Sequence, residues 1–353
     1  MATFATFSAV LASLLLGPPS AAPRPLKRYE YVQSHMGSDF KILLYSPDEP
    51  TARRASQAAF ERIKALDQSF SDYNPESELM KLCDQAGGSA VKVSDDLLDI
   101  LIRSKALYET SNGAFDITAA PVIRLWRRAR RDRKLPSQES LDRARALVSS
   151  DRLKIDREHK TARLETKGMK LDLGGIAKGF ASQAAIDVLK REGIMSALVA
   201  GAGDIVVSDA PPGEAGWAIG IAPLEAPESA PERTLSLRNA AISTSGDTER
   251  YVEIDGKRYS HIVDLKTGLG KVERASVTII APDGATADAL GTAVYALGPE
   301  KGLPLVEATP NAAVYIVRKT EDGLQVIESK RFPSLPLATG RKAKSGALPV
   351  PRS

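Results

Sequence analysis

The sequence has 353 residues and a formal net charge of +4, with 43% hydrophobic and 26% charged residues. These values are ordinary for a soluble globular protein with a sizeable core, and so small a net charge does not indicate nucleic-acid binding. The single cysteine, Cys83, excludes a disulfide framework and a cysteine-rich metal site.

The first residues predict a secretory signal peptide over residues 1–22. An apolar stretch at 7–17 is followed by prolines and small residues, and it is too short for a comfortable membrane span. The pattern is imperfect, because no Lys or Arg precedes the apolar stretch and Pro23 follows the candidate cleavage site. We expect an exported protein of the periplasm or cell envelope. Because no cysteine lies near this segment, we do not expect a cysteine-anchored lipoprotein.

The remaining chain predicts a mixture of helices and strands without strict βαβ alternation. Apolar residues at helical spacing, some behind a capping serine, predict helices at 51–69, after Ser77, and at 94–112, 137–148, 178–192 and 284–297. Short apolar or alternating runs predict strands on both sides of Met36-Gly37-Ser38 and at 153–156, 162–165, 169–173, 196–208, 217–222, 240–246 and 275–282, with hairpins turning at Asp255-Gly256 and Asp322-Gly323.

These elements predict one α+β domain over residues 27–332. The tail at 333–353 is rich in Pro, Lys, Arg, Ser and Gly, and we expect it to be disordered. The densest basic run, RLWRRARRDRK, covers 124–134 and precedes an amphipathic helix. A solvated face or loop is the expected structure for such a run, and a surface for an acidic partner is the alternative.

The segment KLDLGGIAKGFA at 170–181 has two features that a simple strand-to-helix turn does not need. Asp172 interrupts an apolar run, where a carboxylate is costly, and Lys178 lies in the first turn of a helix, where a cation opposes the helix dipole. The glycines allow close backbone approach, and the helix start offers free N–H groups to an anion. The residues therefore leave open a phosphate site and a packing turn with a solvent-facing lysine.

Three further groups of residues are candidates for chemistry. His261 lies at a strand end in a polar run that continues to Asp264, which favours a functional histidine over a structural one. Asp288 and Thr292 share one helix face and offer the hard oxygen ligands that suit Mg²⁺, although they also fit an ordinary helix start. Phe115, in GAFDITAAP, could stack on a planar ring or belong to the core beside a capping carboxylate.

Eight segments, taken in order, resemble the successive motifs of the ApbE family, the FAD:protein FMN transferases. They are HMGSDF, SDYNPESEL, GAFDITAAP, KLDLGGIAKGFA, GAGDIVV, ISTSGDTERY, GKRYSHIVDLKTG and ADALGTAVYALG. The resemblance implies a single T-fold-like α+β domain that is exported and binds FAD and Mg²⁺. It also implies transfer of FMN to a threonine or serine hydroxyl of an acceptor flavoprotein with release of AMP. Some family members instead hydrolyse FAD to FMN and AMP.

Carried to this sequence, the resemblance implies site residues. It implies FAD contacts at Met36, Tyr73, Ala114, Phe115, Asp116, Asp172, Lys178 and the segment from His261 to Val263. It implies Mg²⁺ ligation by the carbonyl of Gly175 and the side chains of Asp288 and Thr292. In the resulting hypothesis Lys178 holds a phosphate, the acceptor hydroxyl attacks the phosphorus on the FMN side, and His261 or Asp264 accepts its proton.

The sequence departs from the family pattern at three places. Ala200-Gly201-Ala202-Gly203 stands where the family has Asn-x-Gly-Gly, Leu265 replaces a proline, and the lipid-anchoring cysteine is missing. None is a proposed metal ligand. Two alternatives therefore accompany the transferase: an FAD hydrolase with water as acceptor, and a flavin-binding protein without catalysis. The expected partners are FAD and an acceptor flavoprotein, with contact to a membrane through that target and no nucleic acid.

Overall fold

A computed structural model describes residues 25–226, 229–247, 251–338 and 348–349. In chain order the strands are β1 (Lys27–His35), β2 (Ser38–Ser46), β3 (Val91–Lys92), β4 (Leu153–Asp156), β5 (Thr161–Leu164), β6 (Ala197–Gly201), β7 (Asp204–Val207), β8 (Trp217–Ile221), β9 (Arg233–Leu237), β10 (Ala240–Gly246), β11 (Tyr251–Ile254), β12 (Lys257–Ser260), β13 (Val263–Asp264), β14 (Leu269–Gly270), β15 (Ala275–Ala281), β16 (Ala313–Thr320), β17 (Gly323–Glu328) and β18 (Leu348–Pro349). The helices are α1 (Glu49–Phe70), α2 (Glu78–Asp84), α3 (Asp95–Thr110), α4 (Ala120–Asp132), α5 (Gln138–Arg145), α6 (Ala177–Arg191), α7 (Gly284–Leu297) and α8 (Pro299–Ala308).

An antiparallel sheet with strand order β1-β2-β6-β7-β10-β15-β16-β17 forms the centre of the domain. Both of its faces are buried around β6, which explains why β6 and the middle of β2, from Ile42 to Leu44, are continuously apolar. In β6, Ala197 and Val199 join the core beneath α1, α6 and α7, whereas Leu198 and Ala200 join a second core shared with β8 and β9. The mixed helices and antiparallel sheets confirm the predicted α+β fold.

A third, smaller core joins α4 to the hairpin of β11 and β12. Trp126 of α4 is buried, its indole Nε1–H donates to the carbonyl of Ser260 over 3.0 Å, and its ring lies 5.5 Å from that of Tyr259. Val122 and Val263 complete the contact. This packing fixes α4 beside the segment that contains His261.

Most predicted elements are confirmed. The predicted caps Ser77 and Ser94 accept hydrogen bonds from the backbone N–H groups of Met80 and Leu97 at the starts of α2 and α3. The hairpin of β11 and β12 turns at Asp255-Gly256 with φ values of 50° and 72°, as a type I′ turn requires.

The structure refines or corrects four sequence predictions. The run at 124–134, predicted as a solvated face or loop, is the last part of helix α4 and the residues that follow it, with Arg128 and Arg131 exposed and Trp126 buried. The strand pattern at 196–208 is a hairpin of β6 and β7 that turns at Ala202, where φ is 52°. The strand at 169–173 is reduced to one bridge, between Lys170 and Ala119. Helix α8 was not predicted, because Pro299 and Pro304 masked its pattern.

The domain continues beyond the predicted boundary at 332. Phe332 is buried, and the backbone N–H of Ala338 donates to the carbonyl of Thr234 in β9, so the start of the predicted disordered tail packs on the domain. The rest of that tail, apart from β18, and the predicted signal peptide lie outside the described residues. In the part of the chain that the structure describes, no helix combines the length and apolarity needed to cross a bilayer.

Candidate active site

A cavity of about 300 Å³ lies between the start of α6, one face of α7 and the loops that follow α3 and β12. Most of the residues predicted from the sequence line it, namely Tyr73, Ala114, Phe115, Asp116, Asp172, Gly175, Lys178, His261, Val263, Asp288 and Thr292. The fold thus collects into one cavity residues as far apart in the chain as Tyr73 and Thr292.

A charged centre of one ammonium and two carboxylates lies in this cavity. The Nζ of Lys178 is 3.2 Å from Oδ2 of Asp204 and 3.9 Å from Oδ2 of Asp288, and it also donates to the carbonyl of Gly174 over 3.4 Å. Both carboxylates are buried. The position of Lys178 at a helix start is therefore balanced by carboxylates and a carbonyl of this chain, and the structure does not need a phosphate to explain it.

The close packing of α6 on α7 sets this geometry. A Cβ atom on Gly179 would lie 2.1 Å from the carbonyl oxygen of Gly284, so the two backbones touch at a distance that only glycine allows. At the same point the backbone N–H of Gly179 donates to Oδ2 of Asp288 over 3.0 Å. The contact therefore places the Asp288 carboxylate beside the first turn of α6, next to Lys178.

The negative charge of an ionised Asp288 is only partly neutralised by its surroundings. Burial and the nearby carboxylate of Asp204 raise the pKa of Asp288 from its ordinary value of 3.8 to about 7, against the opposing effect of Lys178. Ser243 already donates to Asp204 over 2.6 Å. The centre would therefore favour a further positive charge.

Further hard oxygen atoms lie in the cavity with the Asp288 carboxylate. Thr292 lies one helix turn after Asp288, and a Cβ atom on Gly175 would be 3.0 Å from the Thr292 hydroxyl, so the Gly175 backbone and this hydroxyl are close neighbours. Among the described residues no cluster of three or more His, Cys, Asp or Glu side chains is placed to hold a metal ion. Carboxylate, hydroxyl and carbonyl oxygens are nevertheless the donors that Mg²⁺ prefers, and it commonly uses few protein ligands.

A second charged group lies nearer the mouth of the cavity, around Arg127 of α4. Its guanidinium donates to Asp72 over 2.5 Å and to Asp172 over 2.6 Å, and it lies 4.6 Å from the ring centroid of Tyr73. The other oxygen of Asp172 accepts from the backbone N–H of Gly174. Burial raises the pKa of Asp172, and the charge of Arg127 opposes that shift.

Two of the predicted ligand contacts have structural roles in addition to their place in the lining. Phe115 is only 4% exposed and belongs to the main core, and it also lines the cavity. The Asp116 carboxylate accepts from the backbone and hydroxyl of both Thr118 and Ser150. Tyr73, at 77% exposure, is instead the aromatic side chain that is open to a ring system at the cavity mouth.

Two predicted residues lie outside the described lining of the cavity. Met36 occupies the turn between β1 and β2 with φ of 50°, and its N–H donates to Asp67. Asp264 accepts from the backbone N–H of Lys266 and so holds the turn that follows β13. Of the two proposed proton acceptors, only His261 lines the cavity.

The arrangement agrees with what comparison with known proteins shows. The model of the ApbE family matches residues 36–316, which is most of the chain. The chain belongs to the ApbE family. It is 30% identical to an FAD:protein FMN transferase of Klebsiella pneumoniae (strain 342), over 83% of this chain and 90% of that protein. It is also 30% identical to one of Escherichia coli (strain K12), over 85% and 86%.

Solved structures of ApbE proteins have the same fold. The flavin transferase ApbE from Vibrio cholerae superposes with a TM-score of 0.79 at 27% identity, covering 88% of this chain and all of that one. The apo form of the flavinyl transferase ApbE from Pseudomonas stutzeri has a TM-score of 0.78 at 30% identity, covering 90% of this chain and 99% of that one. The predicted single ApbE domain is therefore confirmed.

Sequence reasoning missed two residues of this ApbE site. Asp204 was quoted within GAGDIVV without a role, although a lone carboxylate between apolar residues is the same signal that identified Asp172. Arg127 was counted in a run of solvated charges. Its position one residue after the buried Trp126 gives no such signal, because its acidic partners are distant in the sequence.

Proposed function

We propose that the protein transfers FMN from FAD to a threonine or serine hydroxyl of a target protein and releases AMP. The observation that carries this proposal is the buried centre of Lys178, Asp204 and Asp288 in a cavity whose mouth presents an exposed tyrosine. Such a cavity combines a site for charged phosphates with a surface for a planar ring, which are the two parts of a flavin nucleotide.

Different residues bind the ring system and the pyrophosphate of FAD. The ring of Tyr73 is supported from behind by the Arg127 guanidinium and can stack on an aromatic ring of FAD. The ammonium of Lys178 can exchange its contact with the Gly174 carbonyl for a pyrophosphate oxygen. His261 lines the same cavity and is the candidate to accept the hydroxyl proton.

In the transfer itself, the acceptor hydroxyl oxygen forms a bond to the FMN-side phosphorus and the bond from that phosphorus to the AMP oxygen breaks. The hydroxyl proton passes to His261, and AMP leaves as a phosphate monoester. Lys178 stabilises the negative charge that develops on the phosphate oxygens. Asp264, whose carboxylate accepts from the backbone N–H of Lys266 and which lies outside the described lining, is the alternative proton acceptor.

Mg²⁺ belongs to the proposal because the donor set fits it. Asp288, Thr292 and the Gly175 backbone supply hard oxygens, and the raised pKa of Asp288 indicates a shortage of positive charge at that carboxylate. Asp204 is a further candidate ligand on the same ground. When bound there, the ion would neutralise charge on the pyrophosphate.

Of the departures from the family pattern, Leu265 lies in the lining of the cavity. Ala200 and Ala202 are buried at 2% and 1% exposure and are not part of the described cavity lining. The two alanines therefore give no support to a non-catalytic flavin-binding protein, and Leu265 places an apolar side chain in the lining where the family has an apolar proline. We also propose export to the periplasm or cell envelope and action on an acceptor flavoprotein there, and both rest on the sequence pattern and on the family.

The test uses the purified protein with FAD, MgCl₂ and an extract of exported proteins from the host. We expect AMP release together with flavin fluorescence that stays on a protein band after denaturation and adds the mass of FMN at Thr or Ser. AMP and FMN formed equally fast without any acceptor would indicate a hydrolase, and no turnover would indicate a binding protein. Asp288→Asn should abolish transfer, whereas Asp283→Asn, at the cap of the same helix, should retain it.

A further inference from the structure

A basic groove of about 700 Å³ lies beside the cavity, between α4 and the hairpin of β11 and β12. Its lining consists of Arg127, Arg130, Arg131 and Arg133 on one side and Tyr251, Val252 and Glu253 on the other. Four guanidinium groups thus face a single carboxylate among the described residues that line it. Arg131, Arg133 and Tyr251 are exposed, so the groove opens to solvent.

Packing holds both walls of the groove in place. Trp126, on the inner side of α4, is anchored to the Ser260 carbonyl on the hairpin. On the opposite wall the guanidinium of Arg258 lies 3.4 Å from the ring centroid of Tyr251, and Arg258 also pairs with the buried carboxylate of Asp247. A ligand would therefore meet a surface that is already formed, which lowers the entropy cost of binding.

The groove is continuous with the active-site cavity. Arg127 and Arg130 line both, and Arg127 reaches Asp172 inside the cavity. A peptide lying along the groove would therefore present a neighbouring residue at the cavity mouth. The outer part of the groove, at Arg131 and Arg133, belongs to the groove alone.

The chemistry of the lining favours carboxylates. Guanidinium groups bind carboxylates through paired, charge-assisted hydrogen bonds. The contact that Arg131 makes with Asp132 over 2.8 Å is solvent-exposed, and exposed pairs of this kind exchange partners at little cost.

We propose that this groove binds an acidic segment of the acceptor protein, next to the threonine or serine that receives FMN. The proposal rests on the proposed transferase function. It extends that function by assigning a negative charge to the acceptor segment and by naming the surface that binds this segment. The groove would raise the rate of encounter and set the register of the acceptor chain, so that the hydroxyl reaches the cavity.

The test measures peptide binding without FAD, so that it does not depend on transfer. Two fluorescein-labelled threonine peptides are compared by anisotropy, one with four glutamates beside the threonine and one with glutamines in their place. The double variant Arg131→Gln/Arg133→Gln removes two charges from the groove. The matched control Arg128→Gln/Lys134→Gln removes two exposed charges from the same region outside the lining.

We expect the full-length protein to bind the glutamate peptide more tightly, with affinity that falls as salt rises. The groove variant should weaken that binding about fivefold, while the control changes it less than about twofold. FAD affinity should stay the same in both variants, since neither pair of residues lines the cavity. Equal binding of the two peptides, equal losses in both variants, or stronger competition by a single-stranded oligonucleotide than by the glutamate peptide would overturn the proposal.

Transfer assays separate this proposal from the function it extends. If the protein attaches FMN to an acceptor but shows no preference for the glutamate peptide, the groove assignment is wrong and the transferase stands. If the glutamate peptide binds in the groove but no FMN is ever transferred, the proposed transferase function is wrong, and with it the identification of the groove as an acceptor site.

Discussion

The ammonium of Lys178 lies 3.2 Å from a carboxylate oxygen of Asp204, and this contact links the start of α6 to the start of β7. Because Asp288 approaches the same ammonium, one cation serves two buried carboxylates. The imbalance appears in the raised pKa of Asp288, and it makes the stability of the protein sensitive to pH and to divalent cations.

Asp288 should make the protein less stable as the pH rises from about 4 to 7. Its pKa is about 7 in the folded protein and near the ordinary 3.8 in the unfolded chain, so within this window the native state holds more protons. The stabilising effect of the proton is complete below pH 4 and is lost as pH passes through 7. Relative to the wild type, Asp288→Asn should therefore gain stability across this window, by on the order of a few kcal/mol.

Urea unfolding in EDTA, at a series of pH values from 4.5 to 8, measures this difference. Asp283→Asn serves as the control, because its side chain caps α7 outside the cavity, and its curve should run parallel to that of the wild type. Adding MgCl₂ should reduce the loss of wild-type stability near pH 7 and leave Asp288→Asn unaffected. Parallel pH curves for the wild type and Asp288→Asn would contradict the assignment.

The sequence was sufficient to predict the fold class and most of the cavity, for a physical reason. Asp288 and most other lining residues follow from the ordered motifs that resemble the family. Asp172 and Lys178, in contrast, each break a local rule, as a charge in an apolar run and a cation at a helix start, and such conflicts mark sites. Asp204 breaks the same rule and could have been found in this way. Arg127 breaks none, since on an amphipathic helix any arginine can face outward.

What made Arg127 part of the site is long-range packing. Its partners Asp72 and Asp172 lie 55 and 45 residues away, and only the folded chain brings them together. The same limit applies to Asp264, whose polar surroundings in the sequence fitted a catalytic role equally well. In the structure its carboxylate accepts from a backbone N–H two residues later, and the sequence does not indicate this contact.

Arg127→Gln should impair FAD binding more than any other single arginine change on α4. The substitution leaves Asp72 and Asp172, with side chains 9% and 5% exposed, without their shared cation, and it removes the support of the Tyr73 ring. We expect FAD affinity to fall about tenfold and stability to fall by about 1–3 kcal/mol, less than for a fully buried pair because Arg127 is 31% exposed.

Quenching of flavin fluorescence measures this affinity, and Arg128→Gln is the matched control on the exposed face. Because Arg127 opposes the rise in the Asp172 pKa, its loss should also shift the acidic limb of the pH profile of FAD binding to higher pH. Arg127→Lys, which keeps the charge but cannot bridge two carboxylates, should recover only part of the affinity. Full affinity in Arg127→Gln would exclude Arg127 from the binding site.

Gly179→Ala should destabilise the protein even though alanine favours helix formation by about 1 kcal/mol. The added Cβ would lie 2.1 Å from the Gly284 carbonyl oxygen and 2.7 Å from the Cβ of Asp288, so α6 and α7 must separate. We expect a loss of about 3 kcal/mol in chemical unfolding, together with lost transfer because Asp288 moves. A variant as stable as the wild type would show that the helices do not touch at this point.

Ala200→Asn, which restores the asparagine of the family pattern, should lower the free energy of unfolding rather than speed up transfer. Ala200 of β6 faces the core shared with β8 and β9, on the side of the sheet opposite to Ala197 and Val199. A buried amide without partners there costs about 1–3 kcal/mol.

Ala202→Gly is the matched change in the turn. It relieves a φ of 52° but removes a buried methyl group, so its net effect on the free energy of unfolding should stay below about 1 kcal/mol. Thermal unfolding and transfer rates measured on both variants check this, and faster transfer by Ala200→Asn would mean that this strand position reaches the cavity after all.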